Sequence, residues 1–109
     1  MYYQNNDMPN EAMQVYQEAI DRFPDFREAY YNMGYVHMSL ELYNQATKYF
    51  SDAVTVDPNY YQAYYNRGYS FELMGDINSA LKDYEKALQV KPDYTLAAQG
   101  KSRVLEPIN

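Results

Sequence analysis

The chain has 109 residues, 47% of them hydrophobic and 22% charged, with 15 Tyr, no Trp and no Cys. That length suits one domain burying roughly two-thirds of the surface its unfolded form would expose, and the lack of Cys removes disulfides, thiolate chemistry and Cys-ligated metals. Nine Lys plus Arg against 15 Asp plus Glu leave a net charge of −6, which repels nucleic-acid phosphates and anionic membrane surfaces and favours a basic or neutral peptide as partner.

The prolines give the organisation. Pro24, Pro58 and Pro92 recur at a step of 34 residues. Ala12/Ala46/Ala80, Ala19/Ala53/Ala87 and Asn10/Asn44/Asn78 keep the same step, and an aromatic follows each proline by two: Phe26, Tyr60, Tyr94. In chain order, residues 10–22 read as a helix, with residues 1–7 the last turns of another that Pro9 stops. Residues 27–40 place Tyr30, Met33, Gly34 and His37 on one helical stripe, and residues 43–56 do so with Ala46, Tyr49, Phe50, Ala53 and Val54. The next copy repeats this with Tyr64, Arg67, Gly68 and Phe71, then with Ala80, Leu81, Tyr84, Ala87 and Leu88. Gly75-Asp76 separates its two helices, Gly closing one and Asp capping the next. The Asp57-Pro58-Asn59 and Lys91-Pro92-Asp93 segments end second helices, because a residue before Pro avoids the α region. Residues 95–106 begin a further helix with Ala97, Ala98 and Val104, ended by Pro107.

Tyr30-x-x-Met33-Gly34-x-x-His37 with Ala46, Phe50, Ala53 and Pro58, and Tyr64-x-x-Arg67-Gly68-x-x-Phe71 with Ala80, Tyr84, Ala87 and Pro92, resemble the tetratricopeptide repeat (TPR) pattern. The resemblance implies an all-α solenoid of antiparallel helix pairs, about two full repeats flanked by half-repeats. On that reading residues 1–109 are a single domain: 1–26 a partial repeat, 27–60 and 61–94 repeats, and 95–109 a C-terminal capping helix. Three residues depart from the pattern. Arg67 fills an apolar slot and is expected to bury its stem with its head in water. His37 stands where Tyr is usual. Glu41 replaces the turn Gly, and the cost of a left-handed non-Gly residue predicts another turn geometry there.

The resemblance further implies a peptide-binding groove on the first helices, lined here by Tyr31, Asn32, Tyr35, Met38 and Ser39, and by Tyr65, Asn66, Tyr69, Glu72 and Leu73. Gln99 and Arg103 extend the line. Tyrosines offer broad surfaces at low entropic cost, and Asn amides match peptide backbone. The cationic clamp by which some members hold an acidic chaperone terminus is missing: the corresponding neighbours are Glu28, Tyr31, Gln62, Tyr65 and Asn66.

No catalytic constellation, cofactor loop or metal set is legible. His37 is the sole His, and the four Gly are scattered. Asp52, Asp57, Glu72 and Asp76 read as carboxylates at turns and helix ends, and Lys82, Asp83, Glu85 and Lys86 as a solvated outer face. The expected function is a non-enzymatic protein–protein interaction module, an adaptor or scaffold that needs no cofactor and binds protein or peptide, with no nucleic acid and no direct membrane contact. The alternatives are a structural module whose half-repeat ends pair into a homo-oligomer, and a regulatory piece of a larger protein. The first residues lack the features of a signal peptide and no apolar run is of membrane-spanning length. A cytoplasmic location is therefore expected, with a periplasmic or exported one left open if the chain is a fragment.

Overall fold

The computed structural model describes residues 4–106. They form six helices: α1 (Gln4–Arg22), α2 (Arg27–Ser39), α3 (Tyr43–Val56), α4 (Tyr61–Leu73), α5 (Ile77–Val90) and α6 (Thr95–Leu105). There is no strand among the described residues, so the expected all-α repeat solenoid stands. The two 34-residue units are the hairpins α2–α3 and α4–α5, with α1 and α6 unpaired on either side.

Small residues set the spacing of these helices. Ala46, Ala53, Ala63, Ala80, Ala87 and Ala97 are all fully buried. A Cβ on Gly34 would lie 2.7 Å from the Phe50 ring, and one on Gly100 would lie 2.6 Å from the Tyr84 ring. Phe50 and Tyr84, one per hairpin and both fully buried, therefore fill hollows that only glycine leaves open. Removing a buried aromatic of this kind typically costs about 3–5 kcal/mol. Each hairpin is also tied to the loop before it, since Tyr30 Oη donates to the Pro24 carbonyl at 2.7 Å and Tyr64 Oη to that of Pro58 at 3.0 Å.

The helices form two unequal layers. The Cα traces of α2 and α4 approach within 8 Å, as do those of α4 and α6, whereas α3 and α5 nowhere do. The stack is consequently tighter along α2, α4 and α6 and splays on the other side, which makes the first-helix face the inner one. Side-chain caps contribute little to this order. Among α2 to α6 only α5 has one, with Asp76 accepting from the Ser79 amide at 3.3 Å, so packing rather than capping fixes most of these helix starts.

Four details differ from the sequence-based expectation. Pro9 does not stop a helix but lies inside α1. Its fixed φ is helical, and the hydrogen bond it forgoes is to a carbonyl in the first turn, where the loss is confined. Glu41 does not avoid the left-handed turn: its φ is +62°, close to the +86° of Gly75 in the next hairpin. The two turns share one geometry because each closes the same way, with the residue after it donating back to the first helix, Leu42 to His37 and Asp76 to Phe71. Arg67 does not keep its head in water, nor is Asp83 solvated. The Arg67 guanidinium holds the buried Asp83 carboxylate at two points, 2.7 and 2.8 Å, and reaches Ser51 Oγ at 3.0 Å, pinning α4 to α5 and α3. Asp83 is 4% exposed. A charged pair this deep replaces water by fixed partners on both sides, which is what a lone Arg in an apolar slot requires.

Glu41 carries a backbone strain that Gly would relieve. Glu41→Gly is expected to raise stability by up to about 1 kcal/mol in urea denaturation, the relief exceeding the unfolded-state entropy that Gly adds. A loss of stability would show that the entropy term wins.

Candidate functional site

Of the residues placed on the groove from sequence, Tyr31, Asn32, Tyr35 and Met38 lie on α2, and Tyr65, Asn66, Tyr69 and Glu72 on α4. The structure brings the two sets together through one bond. Asn66 Nδ2 donates to Tyr31 Oη at 2.7 Å and also to the Gln62 carbonyl at 3.2 Å. Both amide hydrogens of Asn66 are thus engaged, and the residue is only 8% exposed. Asn32 is half-buried and Tyr35 is 52% exposed.

An aromatic layer surrounds this bond. The Tyr31 ring packs on Phe50 at 5.7 Å and on Tyr60 at 5.2 Å between centroids. Tyr65 lies parallel to Tyr69, with 6.2 Å between centroids, and meets Tyr94 edge-on at 5.7 Å, while Tyr94 meets Tyr61 edge-on at 4.8 Å. Tyr60, Tyr61 and Tyr94 thus join the layer, which the reading of the first helices alone missed. The aromatic that follows each proline by two was the available signal, because it starts the next first helix directly beneath the groove tyrosines. Burial pushes the Tyr31 and Tyr65 hydroxyls up, and pushes those of Tyr60 and Tyr94 up to about 12. All four are therefore protonated near neutral pH and able to donate.

Glu72 closes the face at its α6 end. Arg103 donates to its two carboxylate oxygens at 2.6 and 2.9 Å, and Tyr84 Oη donates to one of them at 2.6 Å. The Arg103 guanidinium also sits over the Tyr69 ring at 5.7 Å. The hydrogen bonds from Arg103, helped by that from Tyr84, hold the Glu72 carboxyl below its ordinary value. His37 is occupied as well: its Nδ1 lies 2.8 Å from the Met33 carbonyl, and its ring packs on Tyr49 at 5.0 Å. Among the described residues no three His, Asp or Glu side chains gather to hold a metal, and no helix is long and apolar enough to cross a membrane.

Residues 28–60 and 61–94 match the family pattern described as tetratricopeptide repeat, and residues 1–25 match a second pattern of the same description. No curated protein matches the sequence. Among solved structures, MamA is similar at 25% identity and TM-score 0.85, over 94% of this chain and 60% of that one. The TPR domain of Arabidopsis OM64 is similar at 25% identity and TM-score 0.86, over 96% and 87% of the two chains. The first TPR of Spaghetti (RPAP3), bound to the HSP90 peptide SRMEEVD, is similar at 24% identity and TM-score 0.86, over 94% and 81%. The chain therefore spans 60% of the length of MamA but most of the other two.

Because the Glu72 carboxyl is held below its ordinary value in the folded chain, the stability it lends is fully present above the ordinary carboxyl value of 4.5 and is lost as pH falls below it. The wild-type chain is expected to melt higher than Glu72→Gln at pH 7, and the difference to vanish on acidification through that range. Paired thermal melts at several pH values check this; a gap that persists at low pH would place the effect in shape rather than charge.

Proposed function

Since the chain belongs to the tetratricopeptide repeat family, we propose that it is a protein-interaction module without catalytic function, an adaptor or assembly scaffold that receives an extended segment of a partner polypeptide along the face of α2, α4 and α6. The observation that carries this reading is the Asn66–Tyr31 bond. It joins successive first helices into one continuous surface, on which Tyr35 presents an exposed ring and Tyr65 and Tyr69 present hydroxyls and the outer edges of rings that otherwise pack within the layer. Tyrosine-rich surfaces of this kind bury area on binding at small entropic cost. The Spaghetti domain, which holds a peptide on the same fold, lends support. The groove set is Tyr31, Asn32, Tyr35, Met38, Tyr65, Asn66, Tyr69 and Glu72, and within it the roles divide. Asn66 and Glu72 shape the surface through bonds to Tyr31 and Arg103, while Tyr35, Tyr65 and Tyr69 meet the ligand. An acidic terminus such as SRMEEVD does not fit this face, where Arg103 is already held by Glu72.

Panning a degenerate peptide library against the chain and titrating the selected peptides tests the reading. Tyr35→Ala and Tyr65→Ala are each expected to weaken binding about tenfold or more, near 1.4 kcal/mol. Lys82→Ala on the outer side of α5 should leave it unchanged. Equal affinities across the three variants would move the site off this face. Asn66→Ala is a poor probe, because it strips a buried bond and destabilises the chain by about 1–3 kcal/mol.

A second reading, end-to-end association, is favoured by apolar exposure at the two ends of the stack. Val15 and Phe23 on and just after α1 are 60% and 57% exposed, and Leu105 on α6 is 56% exposed. It predicts a mass that rises with concentration in light scattering; a constant monomer mass overturns it.

A further inference from the structure

We propose that the segment received by this face is a neutral, proline-rich stretch in the polyproline II conformation. This rests on the reading of the α2/α4/α6 face as a peptide groove and narrows its ligand. The first ground is charge. Each cation bordering the aromatic layer already holds a carboxylate: Arg27 holds Asp57 and Glu28, Arg103 holds Glu72, and Lys91 holds Asp93 at 3.2 Å. These cations also cover ring faces that a basic ligand would seek, Arg27 over Tyr60 at 4.2 Å, Lys91 over Tyr61 at 5.6 Å and Arg103 over Tyr69 at 5.7 Å. Neither an acidic nor a basic ligand thus finds an unpaired charge among these border groups, although the chain as a whole carries −6.

The second ground is hydrogen bonding. Asn66 spends both amide hydrogens inside the protein and His37 is committed to Met33. What the aromatic layer retains is hydroxyls, beside the half-buried amide of Asn32. Among the described residues, those of Tyr35, Tyr61, Tyr65, Tyr69 and Tyr94 have no partner, and that of Tyr31 accepts from Asn66 while its own hydrogen stays available. Tyr60, only 5% exposed, likewise has no hydroxyl partner among the described residues. Burial pushes the Tyr31, Tyr60, Tyr65 and Tyr94 hydroxyls upward, which keeps those four protonated. An ordinary extended segment brings an N–H and a C=O per residue, and each must find a partner once water is displaced. Proline brings the carbonyl alone. A row of ring-borne hydroxyls, each with a hydrogen to donate, can meet the carbonyls of a proline-rich backbone, which brings no N–H of its own to satisfy. Its ring surfaces pack against pyrrolidines, and the ligand is already stiff before binding.

The probe is a decaproline peptide with glycine-serine ends, titrated calorimetrically into the full chain beside a glycine-serine peptide of equal length. The decaproline should bind, with little dependence on salt, and the control should not. Tyr35→Phe and Tyr65→Phe keep the rings and remove only the hydroxyls. Each should weaken binding about fivefold, the worth of one neutral hydrogen bond, and circular dichroism verifies that both variants remain folded. Binding that neither variant changes overturns the donor argument. If decaproline fails while peptides selected from the degenerate library bind and are Pro-poor, the inference falls and the groove stands. If neither decaproline nor any library peptide binds, the groove reading falls with it.

Discussion

Everything in this molecule depends on how closely two helices can lie. The six fully buried alanines at 46, 53, 63, 80, 87 and 97 bring backbones together at the contacts from α2 to α6, and the hollows at Gly34 and Gly100 admit Phe50 and Tyr84. Larger residues at those positions would force the rings out of their slots, and overpacking of this sort generally costs about 1–3 kcal/mol. Because each hairpin buries only one side against the next, the spacing is inherited from unit to unit, and the inner face formed by α2, α4 and α6 follows from it rather than being built separately.

Polar side chains then fix the stack in register. Arg67 joins three helices through Asp83 and Ser51, and Glu72 joins three through Arg103 and Tyr84. The first cluster is buried among α3, α4 and α5, and the second lies beside Tyr69 with Arg103 more open to solvent. In the buried cluster the partners are matched atom for atom, so desolvation is offset where a lone charge would be intolerable. At the exposed cluster, water competes for Arg103, and the pairing is worth less but responds to pH. One helix thereby carries both the packing of the second hairpin and the boundary of the binding face.

The fold was almost fully legible in the sequence, because a fixed step of Pro, Ala, Gly and aromatic residues encodes packing that repeats. Helix ends proved harder. Pro9 looked like a stop, yet near the beginning of a helix a proline removes little. Glu41 looked incompatible with a left-handed turn, yet the turn is dictated by the hairpin it closes, and the residue yields. The Arg67–Asp83 pair was missed since it joins residues of different helices, 16 positions apart, and each taken alone looks solvated. For the proposed groove, the sequence named residues that lie on α2 and α4 but not the internal use of their polar groups: nothing in the spacing of Asn66 or Glu72 says that Tyr31 and Arg103 will occupy them.

That internal use changes how the face is understood. A site assembled from free amides and carboxylates would be separable from the fold, and its residues could be exchanged one by one. Here Tyr31 packs on Phe50 and Tyr60, takes a bond from Asn66 and still borders the open surface. Its ring belongs to the core, and only its hydroxyl hydrogen is left for the proposed ligand. The same division runs through Tyr65, whose ring meets Tyr69, Tyr84 and Tyr94. Recognition by such a surface has to act through the outer edges of rings whose positions are fixed by the stack. On the proposed reading such a surface is sparing in hydrogen bonds and would select partners by the groups they lack as much as by those they offer.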